Sequence, residues 1–88
     1  MKDNDNVRAA VRDLMVLHRE RRISLADFEF RLEILLGRFT DVTPDQDRAL
    51  REIVNDLEIV RFVELPESQP RAVDESMERL ERIMSDIP

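Results

Sequence analysis

The amino-acid sequence predicts an all-α protein, a small antiparallel four-helix bundle. Three observations carry this expectation. Apolar residues recur at three- and four-residue spacing through most of the chain. A single Gly in 88 residues argues against hairpin turns and Gly-rich ligand loops. The breakers Gly37, Pro44, Pro66, Pro70 and Pro88 cut the chain into four segments of helical period. Residues 1–88 read as one domain, with helices over about 5–21, 24–36, 44–62 and 71–85.

The first segment places Val7, Ala10, Val11, Leu14, Leu17 and His18 on one face. Asp5 or Asn6 can cap its start, and Arg19, Arg21 and Arg22 suit the negative end of its dipole. The second segment opens at Ser24-Leu25-Ala26-Asp27, close to a capping box, with Ile23 able to staple onto Phe28. Its inward stripe is Phe28, Leu32, Leu35 and Leu36, with Leu25 and Phe39 at the ends. Gly37 is the expected left-handed C′ residue. A link of about two residues, Arg22 and Ile23, makes these helices antiparallel neighbours.

The third segment has the clearest start. Thr43-Pro44-Asp45-Gln46 supplies an N-cap Thr, Pro at N1 and Gln at N3. Leu50, Ile53, Val54, Leu57, Val60 and either Arg61 or Val63 face inward. The run Ile59-Val60-Arg61-Phe62-Val63 has strand-like composition but no partner strand, so it reads as helical or extended at its end. A loop over Leu65–Pro70 leads to the fourth segment, whose stripe is Val73, Met77, Leu80, Met84 and Ile87, with Ile83 beside it.

Composition narrows the chemistry. The chain has no Cys, which excludes disulfides and cysteine-ligated metal, and His18 is its one His, which excludes a multi-histidine site. No apolar run approaches the roughly 18 residues of a membrane span. Met1-Lys2-Asp3-Asn4-Asp5 has no apolar signal-peptide core. A cytoplasmic protein without membrane contact, metal or cofactor is the expectation.

Charge is divided unevenly. Residues 1–40 carry eight Lys/Arg and seven Asp/Glu, a net of +1. Residues 41–88 carry six Arg and thirteen Asp/Glu, a net of −7. One strongly acidic half points to a basic partner or to a site that normally holds phosphate. On the last helix Asp74, Glu78 and Glu81 form a stripe without a cation of its own. Asp45, Glu52 and Asp56 make a similar outward arc on the third, and Glu64 and Glu67 flank Pro66 between them.

Each of these features also has a plainer reading. An acidic stripe can be a solvated face that aids solubility. Glu52/Asp56 and Asp74/Glu78, each four apart, read as surface before they read as weak cation sites. Every carboxylate lies on a face that reads as solvated, which leaves no sheltered acid–base pair. His18 reads as a partly buried helix-end residue. Arg19, Arg21 and Arg22 read as a helix-end cluster rather than a nucleic-acid contact, since most of the four Phe belong to the core and the chain is acidic. The expectation is a protein that is not an enzyme and does not bind nucleic acid directly.

The segment from Leu17 to Leu32 carries the pattern Ile23-Ser24-x-x-Asp27-Phe28-x-x-Arg31-Leu32 between two short helices. It resembles the opening hairpin of the colicin D immunity protein family, bacterial self-protective colicin-like immunity proteins. Helix order, length and acidity extend the resemblance over most of the chain. It implies a protein that binds and blocks a cognate nuclease toxin, in the namesake case a tRNA-cleaving ribonuclease. Its carboxylates sit where RNA phosphates would lie. By position, Glu64 and Glu67 match the family's acid–proline element and Asp56 an acid late on the third helix. Glu52 and Asp74 join the toxin-binding set from charge geometry. The run from Phe62 to Pro66 is longer than in the family, which leaves the choice between Glu64 and Glu67 open.

The Ile-Ser-x-x-Asp-Phe segment is also similar to short helical-hairpin modules of the SHOCT type. These usually place Gly before the Ile, where this chain has Arg21-Arg22. That resemblance implies the alternative, a non-enzymatic interaction or oligomerisation module, with a homodimer as one form. Its docking surface is read from the apolar residues Phe30 and Ile34, four apart and off the Phe28–Leu32 stripe, and Ile59.

Overall fold

The computed structural model describes residues 3–88. It contains α1 (Asp3–Arg19), α2 (Leu25–Leu36), α3 (Pro44–Val63) and α4 (Gln69–Asp86), with no strand among the described residues. Short connections turn each helix back on the one before, giving a small antiparallel four-helix bundle. α1 packs on α2, α2 on α3 and α3 on α4, whereas α1 and α4 touch least.

Each helix turns one stripe inward. Val7, Val11, Leu14 and Met15 meet Phe28, Leu32 and Leu36 from α2. Leu50, Ile53, Leu57 and Val60 come from α3, and Val73, Met77, Leu80 and Met84 from α4. Phe39 and Ile87, just beyond their helices, fold back onto the same core. Full burial of such a side chain contributes roughly 1.5–3 kcal/mol. Met15 is buried although the expected stripe omitted it, while Ala10, Leu17, His18 and Leu35 are only half-buried.

The helix termini depart from the expected spans in instructive ways. α1 begins at Asp3 and ends at Arg19, so Asp5 and Asn6 lie within the helix rather than capping it. It stops early because Arg21 is left-handed, at φ 60°. The Arg21 amide donates to the His18 carbonyl and the Arg22 amide to the Leu17 carbonyl, each at 2.9 Å, which together form a Schellman closure. The connection to α2 is therefore residues 20–24, not two residues. Gly37 is right-handed, at φ −69° and ψ −10°, contrary to the expected left-handed cap. The chain keeps its right-handed turn past Gly37 and so carries Phe39 back onto the core. The left-handed step comes later, at Asp41 with φ 57°.

The remaining starts differ in quality. The Ser24 hydroxyl accepts from the Asp27 amide at 3.1 Å. Thr43 and Gln46 form the full reciprocal box, at 3.0 and 3.1 Å. α4 starts two residues before the expected Arg71 and takes Pro70 into its first turn, where a missing N–H costs nothing. Ser68 at its N-cap makes no side-chain capping bond.

One end of the bundle is closed by polar ties. It gathers the start of α1, the end of α2, the start of α3 and the chain's last residues. Asn4 is buried there, 4% exposed, and its amide is fully engaged. Asn4 Nδ2 donates to the Thr40 and Pro88 carbonyls, each at 2.9 Å, and Asn4 Oδ1 accepts from the Thr40 amide at 2.8 Å. Arg8 donates to the Ile87 carbonyl at 3.0 Å and Gln46 to the Asp86 carbonyl at 3.0 Å.

Candidate functional site

The opposite end gathers the end of α1, the start of α2, the end of α3 and the start of α4. α3 stays helical through the strand-like run, because intrahelical bonds are available to it and a partner strand is not. Only Val60 of that run turns fully inward. Ile59, Phe62 and Val63 fall off the Leu50–Ile53–Leu57–Val60 stripe and stand exposed, Phe62 at 70% and Val63 at 72%. Leu65 in the following loop is 63% exposed. Two of the four Phe, Phe30 and Phe62, are therefore surface residues, which corrects the expectation that most of them belong to the core.

Arg61 braces this corner. Its guanidinium lies 4.3 Å from the Phe62 ring centroid, and its Nε donates to Glu29 at 2.9 Å. The Glu29 side chain is only 12% exposed, so not every carboxylate sits on a solvated face. Glu29 is a structural partner that ties α2 to the end of α3.

The five carboxylates of the expected binding set fall into three environments. Asp56 and Glu52 converge on Arg79 of α4, at 2.6 and 3.6 Å, so one cation is shared between two carboxylates. The cleft between α3 and α4 is lined by Asp56, Ile59, Glu64, Ala72, Glu75 and Arg79. Glu64 and Glu67 are exposed and make no side-chain ion pair among the described residues. Asp74 stands apart on the other side of α4, in a cleft shared with Met15, Arg19, Glu78 and Glu81. Glu64 and Glu67 thus frame the exposed apolar residues at the α3–α4 corner, with Asp56 in the adjoining cleft.

The α4 carboxylate stripe is less bare than its own helix implies. Arg12 of α1 grips Glu81 with two hydrogen bonds, at 3.1 and 3.2 Å, and Arg19 reaches the cleft beside Asp74 and Glu78. The cations come from a neighbouring helix. His18 is half-buried and stacked on Phe28, ring centroids 4.8 Å apart. Burial lowers its pKa below the ordinary 6.5, and the negative charge of Asp74 opposes that shift. No group of three or more His, Cys, Asp or Glu among the described residues is placed to hold a metal ion. No helix among them is long and apolar enough to cross a membrane.

The corner offers an aromatic wedge and aliphatic neighbours rimmed by carboxylates. Such a surface suits a protein partner with a cationic rim and an apolar pocket. The expected set contained the carboxylates but missed Phe62, Val63 and Leu65. Position off the inward stripe is the signal that could have found Phe62, whereas Val63, an expected inward alternative to Arg61, turns outward at the end of α3. Comparison of the chain with protein-family models, with curated proteins and with solved structures finds no match in any of the three.

Proposed function

We propose that this chain is an immunity protein, a non-enzymatic inhibitor that binds a basic bacterial nuclease toxin of the tRNA-cleaving class. The observation that carries the reading is the α3–α4 corner. There Phe62, Val63 and Leu65 are exposed beside Glu64 and Glu67, neither of which has an ion-pair partner among the described residues. The net −7 of residues 41–88 and the resemblance of Leu17–Leu32 to colicin D immunity proteins support the same reading.

The mechanism follows from that chemistry. The acidic half steers a cationic active site toward the corner, which raises the association rate. Glu64 and Glu67 then occupy positions that phosphate oxygens would take, and in the adjoining cleft Asp56 and Glu52 share Arg79, which leaves that group one negative charge in excess. Phe62 enters an apolar pocket and slows dissociation, as buried aromatic anchors do. Inhibition is by occlusion and needs no bond-making. Glu52 and Asp74 are secondary: one shares Arg79 with Asp56, and the other lies across α4. The partner is protein, with no direct nucleic-acid contact, in the cytoplasm.

The test is co-expression with candidate nuclease domains encoded by whatever genes neighbour this one. Rescue of growth together with a 1:1 complex supports the proposal. A toxic domain that this protein neither neutralises nor binds rejects it. A different observation favours the alternative of a helical interaction module: Phe30 and Ile34 stand exposed one turn apart on α2, on a face that the corner does not use.

A further inference from the structure

The α1–α2 hairpin carries a second surface, made from the chain's near-neutral half. A groove between these helices is lined by Ala10, Leu14 and Leu17 from α1 and by Ile34 and Leu35 from α2. Ile34 is 49% exposed, and Phe30, one turn before it, is 57% exposed, so the apolar surface continues onto the outer crest of α2. Two charged residues complete the lining: Asp13 on the α1 wall and Arg31 on the α2 wall. Both are exposed, and neither forms an ion pair among the described residues.

We infer that this groove is a homodimer interface whose occupant is the same groove of a second copy. Charge selects the occupant. A two-fold axis along the groove exchanges its walls, so Asp13 of each copy faces Arg31 of the other and two ion pairs form. An axis across the groove would set like charges together and is disfavoured. Whole-chain charge points the same way. Two copies each at −6 repel, and the arrangement that limits this brings together residues 1–40, at +1, and turns residues 41–88, at −7, outward. The apolar strip supplies the attraction and the paired charges fix the register. The α3–α4 corner remains open in this dimer, so the inference stands whether or not a toxin is the partner there.

The test is sedimentation velocity over a concentration series, with charge-reversal variants at exposed positions. The native chain is expected to show a concentration-dependent dimer. D13R or R31D alone replaces both attractive pairs with two like-charge contacts and should weaken the dimer by about tenfold or more. The double variant D13R/R31D restores both pairs in swapped order and should recover affinity to within about threefold of native. A chain that stays monomeric throughout the series overturns the inference. So does a dimer indifferent to the single reversals, or a double variant no better than either single one.

Discussion

The two ends of the bundle are built on opposite principles. At the closed end Asn4, Arg8 and Gln46 tie the start of α1, the α2–α3 loop, the start of α3 and the C-terminus together through backbone carbonyls and amides. These side chains are committed to holding the chain to itself. At the open end α3 overruns the core and leaves Phe62, Val63 and Leu65 in solvent, beside Glu64 and Glu67, which have no ion-pair partner among the described residues. Exposed apolar surface costs solubility without adding stability to the isolated chain. One end therefore holds the fold, and the other is available for recognition.

Mutation should separate these roles, and the largest stability effect belongs to the closed end. Asn4→Ala removes three hydrogen bonds between 2.8 and 2.9 Å and strands the Thr40 amide and the Pro88 carbonyl. A loss of about 2–3 kcal/mol is expected in urea unfolding. A loss below about 0.5 kcal/mol would mean that water replaces Asn4 at no cost and that the closed end is not a structural tie.

A smaller effect of opposite sign belongs to the turn at the open end. Arg21 occupies the left-handed region at φ 60°, where L-residues are strained. Arg21→Gly should stabilise the chain by about 0.5–1 kcal/mol, after allowance for the extra freedom Gly gives the unfolded state. Destabilisation would show that the Arg21 side chain has a role beyond closing α1.

The smallest effect is pH dependence at His18. Its folded pKa lies below the ordinary 6.5, chiefly through burial. The unfolded chain thus takes up this proton at higher pH than the folded chain. Stability from neutral His18 is complete above about pH 6.5 and is lost as pH falls from there toward the folded pKa. Asp74 opposes the shift, so Asp74→Asn should steepen the loss, and His18→Phe should remove it. Parallel stability–pH curves for all three chains would contradict this account.

Much of the fold was legible because helical period and stop signals coincide. Thr43-Pro44-Asp45-Gln46 specified the start of α3 within one turn, with both hydrogen bonds of its box formed. What escaped depended on residues distant in sequence. Asn4 reads locally as a residue near a helix start, and only the return of Thr40 and Pro88 to the same end buries it. Gly37 reads as a left-handed cap, yet the pull of Phe39 onto the core keeps it right-handed. The candidate site was half legible. Glu64 and Glu67 could be chosen from local charge. The sharing of Arg79 by Glu52 and Asp56, and the pairing of Glu81 with Arg12, depend on cross-helix register that periodicity within one helix does not encode. The Phe62 wedge was hidden by its composition, since a β-branched and aromatic run suggests core before it suggests surface.

The central claim is that the α3–α4 corner is the docking site. The most direct measurement is the affinity for a nuclease toxin domain that the chain neutralises in co-expression, titrated against the native chain, Phe62→Ala, the double variant Glu64→Lys/Glu67→Lys and the control Glu33→Lys. Thermal melts run in parallel verify that each variant folds. Phe62→Ala should leave stability within about 0.5 kcal/mol and weaken binding by about 2 kcal/mol, some thirtyfold. The double variant should weaken binding at least as much, mainly through slower association, and Glu33→Lys should bind as the native chain does. Equal affinity for all four folded proteins would contradict the claim.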